Sequence, residues 1–200
     1  MDSTLGVAFD VLDYALLSAP GAPLKQALLD AGIGKEIYGD YSDGVLQPFF
    51  SIVAKGAKTS QKEKFVSVIR NCLQDIVRNG IDKKAILAGI NYMEFRYREA
   101  DFGQFPKGLM YGLDIMGSWL YDDENAFSQV QLLSIYDRLK EAVNEGYFEK
   151  LIQKWLLDNT HGLILTLVPK RGLAAQREKE LADKLEAYRS SLSDGQLEEM

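Results

Sequence analysis

The chain has 200 residues, 46% of them hydrophobic, with 29 acidic against 23 basic side chains and a formal charge of −6. That is apolar material for one core of ordinary size, and the lack of a basic stripe excludes nucleic acid as an expected partner. One cysteine excludes an internal disulfide, and one histidine, His161, excludes any metal site needing two imidazoles from this chain.

Residues 5–17 and 23–31 read as two helices broken by Ser18-Ala19-Pro20-Gly21, with Pro23 suited to a first helical turn. Across 36–54, β-branched and aromatic residues flank Ser42-Asp43-Gly44, a hairpin-turn signature. Two antiparallel strands are therefore expected at 36–42 and 46–54, and Pro48, which lacks an amide donor, predicts an edge position or a bulge. Phe65, Ile69, Cys72 and Ile76 mark one face of a helix between Thr59 and Asn79, capped by Thr59 or Ser60 and ended by Gly80. At that spacing Cys72 reads as a small core side chain and not a nucleophile.

Asp82 is placed to cap the next helix, whose buried stripe is Ile86, Ile90, Met93 and Tyr97. A loop from Asp101 to Phe105 leads to a helix opened by Pro106, with Leu109, Leu113, Met116 and Leu120 on one face. Gly108 and Gly112 on that helix predict close packing against a neighbour. Helical patterns follow at 127–143 and 146–157, and then residues 162–168 read as a buried strand stopped by Pro169. Leu181, Leu185, Tyr188 and Leu192 recur at spacings of four, three and four, which predicts a helix over 173–192 with a narrow apolar seam. Ser193-Asp194-Gly195-Gln196 resembles a capping box opening a further helix, yet barely one turn remains before Met200. A cut helix and few strands suggest a piece of something longer. No apolar run reaches the roughly 18 residues of a membrane span, and Met1-Asp2-Ser3-Thr4 lacks the charged start of a leader. The expectation is a soluble chain with no membrane partner and no address of its own.

The densest polar constellation is Glu94, Arg96, Arg98, Glu99 and Asp101. Glu94 and Arg98 have the favourable i, i+4 ion-pair orientation, so charges tying a helix to its neighbours are expected here ahead of acid–base chemistry, which needs a cleft. Gly32-Ile33-Gly34 is too short for a dinucleotide fingerprint. His161 follows Asn159-Thr160 at an element boundary, where a hydrogen-bonded histidine is commoner than a lone base.

At residues 91–123 the sequence NYMEFRYREADFGQFPKGLMYGLDIMGSWLYDD is no longer generic. Together with LLSAPGAPLKQALLDAGIGKEIYGDYSDGVLQPFFSIVAKG at 16–56 and YFEKLIQKWLLDNTHGLILTLVPKRG at 147–172, it resembles the second domain of the presequence-protease branch of the pitrilysin/insulinase zinc metallopeptidases. The resemblance implies a clamshell parent of two halves, each of two related α/β domains, joined by a helical hairpin around a peptide chamber. It implies that residues 1–170 are most of the non-catalytic second domain and that 171–200 begin the hairpin linker, with the opening strands of the domain upstream of Met1. The family's zinc motif, His-x-x-Glu-His with a further glutamate, lies in the first domain and cannot be present here, so no cofactor is expected in this piece and zinc is expected in the upstream catalytic domain of the parent.

The fold expected is α+β: a small antiparallel sheet of 36–42, 46–54 and 162–168, helices mainly on one face as in an incomplete metallopeptidase-like ferredoxin-type roll, and a C-terminal linker helix. The function expected is a non-catalytic substrate-chamber and structural module of a zinc endopeptidase that degrades short unstructured peptides, inactive alone. No catalytic residue is assigned; Glu94, Arg96, Arg98 and Glu99 are candidates for the chamber wall or for structural ion pairs. The implied partners are the upstream catalytic domain and C-terminal half of the same polypeptide, and peptide substrate. Isolated, the piece is expected to dimerise, if at all, through a sheet edge or the seam helix. A zinc-less scaffold parent and a free-standing helical interaction module are the alternatives. Location is expected to be bacterial cytoplasm, or an organellar matrix if the parent is eukaryotic.

Overall fold

A helix carrying apolar side chains on every face organises this molecule. In the computed structural model, which describes residues 2–100, 102–193 and 195–196, α1 spans Ser3–Asp13 and continues as a wide π turn over Tyr14–Ser18. The Asp2 carboxylate caps it, accepting from the amides of Thr4 (2.9 Å) and Leu5 (3.2 Å). Val7, Ala8, Phe9, Val11, Leu12, Leu16 and Leu17 are all buried, so α1 is surrounded by other elements. Contrary to expectation, the stretch Ser3–Asp30 is long and apolar enough to cross a membrane by length and composition. Its apolar side chains are the centre of the core instead, down to Leu24 and Leu28 on the next helix.

The remaining elements follow in order: α2 Pro23–Asp30, β1 Glu36–Ser42, β2 Phe49–Lys55, α3 Lys62–Asn79, α4 Lys83–Glu99 and α5 Lys107–Trp119. Then come α6 Leu133–Ala142, α7 Tyr147–Leu151, which continues as a π turn over Ile152–Leu157, and α8 Leu173–Ser191. The fold is α+β, mostly helical, with a two-stranded antiparallel sheet. Glu36 pairs with Lys55 and Ser42 with Phe49, so Ile37, Gly39 and Tyr41 share one face with Ala54, Ile52 and Phe50. That face packs on α1, where the Phe9 ring stacks on Tyr41 at 5.1 Å and tilts against Phe50 at 6.1 Å. Leu12, Leu16, Ile86, Ile90, Leu139, Phe148 and Ile152 fill the space among α1, α4, α6 and α7.

Five sequence expectations are corrected. Residues 162–168 form no strand: among the described residues none of their backbone groups joins a ladder, and Leu163 and Leu167 are 87% and 85% exposed. Strong β propensity does not make a strand without a partner edge to satisfy its amides and carbonyls. The face of α5 is not packed either. Leu109, Leu113, Met116 and Leu120 are exposed, and a methyl group added to Gly108 or Gly112 would meet open space. Ser118 is the one buried residue of this helix, held by a 2.6 Å bond from its hydroxyl to the Ala126 carbonyl. Thr59 and Ser60 lie inside a 3₁₀ turn and do not cap α3; the Gln61 side chain accepts from the Lys58 amide at Oε1 and donates from Nε2 to the Gly32 carbonyl. The helix expected over 127–143 starts at Leu133, after a 3₁₀ turn at Ser128–Val130. The second strand begins at Phe49, just past Pro48, which leaves proline's missing donor outside the ladder.

The chain divides into two compact units between Leu163 and Ile164. In the second unit, Leu181, Leu185 and Tyr188 of the α8 seam are exposed and Leu192 is half-buried. Asp101, Asp194 and residues 197–200 of the helix expected to run on to Met200 lie outside the described residues. Half of the expected capping box is seen: the Ser193 amide donates to Gln196 Oε1 at 3.0 Å.

Candidate functional site

Two polar clusters sit in the first unit, and only one of them was legible in the sequence. The first is built on α4. Asp82 caps that helix by accepting from the amides of Lys84 and Ala85, and the stripe Ile86 and Ile90 is fully buried. This phase turns Glu94 inward, where it is 8% exposed. Arg98, one turn on, donates to Glu94 Oε1 from Nε (2.8 Å) and from a terminal nitrogen (2.6 Å). The Lys140 ammonium, from α6, donates to Glu94 Oε2. The hydrogen bonds from Lys140 and then Arg98 hold the Glu94 carboxyl below the usual carboxylate range.

Of the four candidates, only Glu94 and Arg98 are brought together. Arg96 is exposed and lies over the Tyr92 ring at 5.8 Å, and Glu99 is exposed, with its carbonyl accepting from the Lys107 ammonium at 3.3 Å. The partner missed from sequence is Lys140, 46 residues from Glu94 in the chain; no local spacing connects them. A carboxylate paired to two cations across two helices joins elements; it is not a free general base. Glu94→Gln is expected to destabilise the chain by about 1–3 kcal/mol, since it removes the charge that both cations face. Lys140→Met should cost less than Glu94→Gln, and the double variant less than the two costs added. Urea midpoints of the three proteins check this; additive losses would mean that the pair is not coupled.

The second cluster is acidic and joins α1 to the hairpin. Residues 2–24 contain Asp2, Asp10 and Asp13 and no basic side chain, a signal that the sequence reading left unused. Asp10 is pushed up to about 7, first by burial and then by the negative charges of Asp43, Asp13 and Asp40. Asp13 is raised by burial and by Asp40, against a lowering hydrogen bond from Ser18, and its buried Oδ1 has no hydrogen-bond partner. Burial, reinforced by Asp43 and Asp10, pushes the Tyr41 phenol up to about 12. A groove of about 300 Å³ opens beside this cluster, lined among others by Asp2, Tyr41, Leu46, Pro48, Tyr121 and Asp122. Its two carboxylates are already committed as caps, Asp2 to α1 and Asp122 to the turn at Asp123–Asn125.

Cys72 is half-buried on α3, with its thiol raised by burial, as a core side chain should be. His161 is exposed, and its amide donates to Asn159 Oδ1 at 2.8 Å. Among the described residues no three of His, Cys, Asp and Glu are grouped to hold a metal ion.

The first unit thus holds a buried carboxylate ion-paired to two cations and an acidic cluster, and the apolar side chains Leu109, Leu113 and Met116 of α5 are exposed. Relatives of known name give these features a context. The chain is 40% identical over 199 residues to Protein HypA of Clostridium perfringens, and 30% identical over 205 residues to presequence protease 1, chloroplastic/mitochondrial, of Arabidopsis thaliana. Both matches take in 100% of this chain. The mitochondrial presequence protease of Schizosaccharomyces pombe is 22% identical over 199 residues, or 96% of the chain. The chain is homologous to one segment of the presequence proteases, spanning about a fifth of the length of the relatives it matches (20%, 19% and 19%). No family model matches it.

Proposed function

We propose that these residues form a non-catalytic substrate-chamber and structural module of a zinc metalloendopeptidase of the pitrilysin/insulinase type, one that degrades short unstructured peptides. The observation that carries the reading is the end-to-end match to one fifth of proteins named presequence proteases. A sequence with a single histidine supports a supporting role within such a parent, because the two imidazoles of a His-x-x-Glu-His motif must come from elsewhere. Residues 1–170 are then most of the second domain, and α8 opens the helical linker. The unpaired apolar run at 162–168 supports this: with both faces apolar, it has the composition of a strand covered on both sides in a larger sheet.

In this reading the Glu94–Arg98–Lys140 network fixes the module's shape, while Arg96, Glu99 and the open side chains of α5 are available to the chamber wall and the neighbouring domains. Plant and yeast relatives are named for chloroplast or mitochondrion and another relative is bacterial, so an organellar matrix and a bacterial cytoplasm both fit. The test is hydrolysis of an unstructured fluorogenic peptide with added zinc, by this chain and by a full-length polypeptide that contains it. Turnover by the full-length protein alone is expected. Turnover by the chain alone overturns the reading, and silence from both favours a zinc-less scaffold parent.

A further inference from the structure

The hairpin is held to α1 by a contact that lacks cations. Residues 2–24 and 36–54, which supply α1, its π turn and both strands, contain no lysine, arginine or histidine. Asp10 and Asp13 stand on α1, Asp40 on β1 and Asp43 in the turn, and among the described residues none of the four joins an ion pair. The surrounding elements leave that charge unbalanced. The phenols of Tyr41 on β1 and Tyr136 on α6 both feel the negative charge of Asp10, and from α5 Asp114 is itself raised by burial and by Asp43. On α6, Lys140 is committed to Glu94, and Arg138 donates to the Thr4 hydroxyl at the start of α1. On α4, Tyr92 stacks on Tyr14 and Glu94 is held by its own two cations. The π turn offers Asp13 only the Ser18 hydroxyl. Asp13 Oδ1 is buried without a hydrogen-bond partner and lies 2.5 Å from where a Cβ on Gly39 would stand, pressed against β1. Ionised carboxylates confined in this way repel one another and are poorly solvated.

Glycines mark both ends of the hairpin. Gly34 and Gly56 have φ of 71° and 73°, a region that glycine enters without strain. Strand β1 touches α1, its π turn and α2, whereas β2 packs chiefly on β1. The 300 Å³ groove already opens between Tyr41, Leu46 and Pro48 on the hairpin side and Asp2, Tyr121 and Asp122 opposite. We propose that the contact between α1 and the hairpin is a proton-dependent clasp: a proton on Asp10 keeps the strands seated, and its loss lets the hairpin lift about Gly34 and Gly56 while the helices stay folded. Lifting parts the Phe9 ring from Tyr41 and Phe50 and widens the groove. Burial raises the Asp10 carboxyl, so the grip is complete below the ordinary carboxylate value and is lost as pH rises through the raised one.

Hydrogen exchange of the full chain, followed by mass spectrometry, tests the clasp. After correction for the intrinsic rate, the amides of 36–55 are expected to exchange at least about tenfold faster at pH 7 than at pH 5. They should do so through an opening that up to about 1 M urea leaves unchanged, whereas the α4 amides exchange more slowly and by a route that urea accelerates. Asp10→Asn should remove most of the pH difference, and Asp43→Asn, at the turn, should shrink it. Hairpin amides that share the protection and urea dependence of α4, or a pH difference unchanged in either variant, would overturn the proposal.

Discussion

Replacing Asp10 by asparagine is expected to stabilise this chain at pH 7.5 by about 2–4 kcal/mol and to flatten its stability between about pH 4 and pH 7. Asp10 titrates near 7 in the fold, against an ordinary value of 3.8, because it is buried and faces Asp43, Asp13 and Asp40. The native state therefore binds a proton more tightly than the unfolded chain. Its favourable contribution is fully present below the unfolded value and is lost as pH rises through the folded one, at about 1.4 kcal/mol per pH unit in that window. Asparagine keeps the shape and removes the titration. Asp13, raised by burial and Asp40, contributes a slope of the same sign. Glu94 acts oppositely: its lowered carboxyl contributes stability that disappears only as pH falls below the usual carboxylate range. Urea denaturation of both proteins at pH 5, 6, 7 and 8 measures the difference; an unchanged slope in Asp10→Asn would show that Asp10 is ionised in the fold.

Gly39→Ala is expected to cost about 2–3 kcal/mol, a large loss for one methyl group on a strand. A Cβ at Gly39 would lie 2.2 Å from Leu17 Cδ1, 2.5 Å from Asp13 Oδ1 and 3.0 Å from the Ser51 carbonyl oxygen. The Ser51 contact is to backbone across the hairpin. Leu17 is locked in the core and Asp13 belongs to the acidic contact, so none of the three neighbours gives way freely. The hairpin must lift from α1, which loosens the Phe9–Tyr41 stack. If that is the cause, Leu17→Ala made in the Gly39→Ala background should cost less than it does in the parent sequence. Equal costs in both backgrounds would place the damage elsewhere.

Gly39 also shows where sequence reading stops. The strand containing it was legible from its β-branched and aromatic residues and from the turn at Ser42-Asp43-Gly44, but a glycine in mid-strand says only that something lies close. What lies close is Leu17, from a helix read correctly but with no indication of which face met the sheet. The same division runs through the ion pairs. Glu94 and Arg98 share a helix and were paired by spacing, whereas Lys140 came from α6 and had no local signature. Periodicity misjudged α5 and 162–168 for one reason. An apolar face or run reports a tendency to be covered, and whether anything covers it depends on elements far away in sequence or outside these residues.

By itself the sequence determined most of the helices, the Asp82 cap, the hairpin, the family resemblance, and the impossibility of a two-imidazole metal site in a chain with one histidine. These follow from spacing, composition and turn chemistry, which act over a few residues. Tertiary structure alone decided that the charges of Asp13, Asp40 and Asp43 act on Asp10, that Lys140 completes the Glu94 network, and that α5 and the run after His161 are left open. Charge, burial and ladder pairing are properties of neighbours in space, and those neighbours are fixed only when the chain has folded.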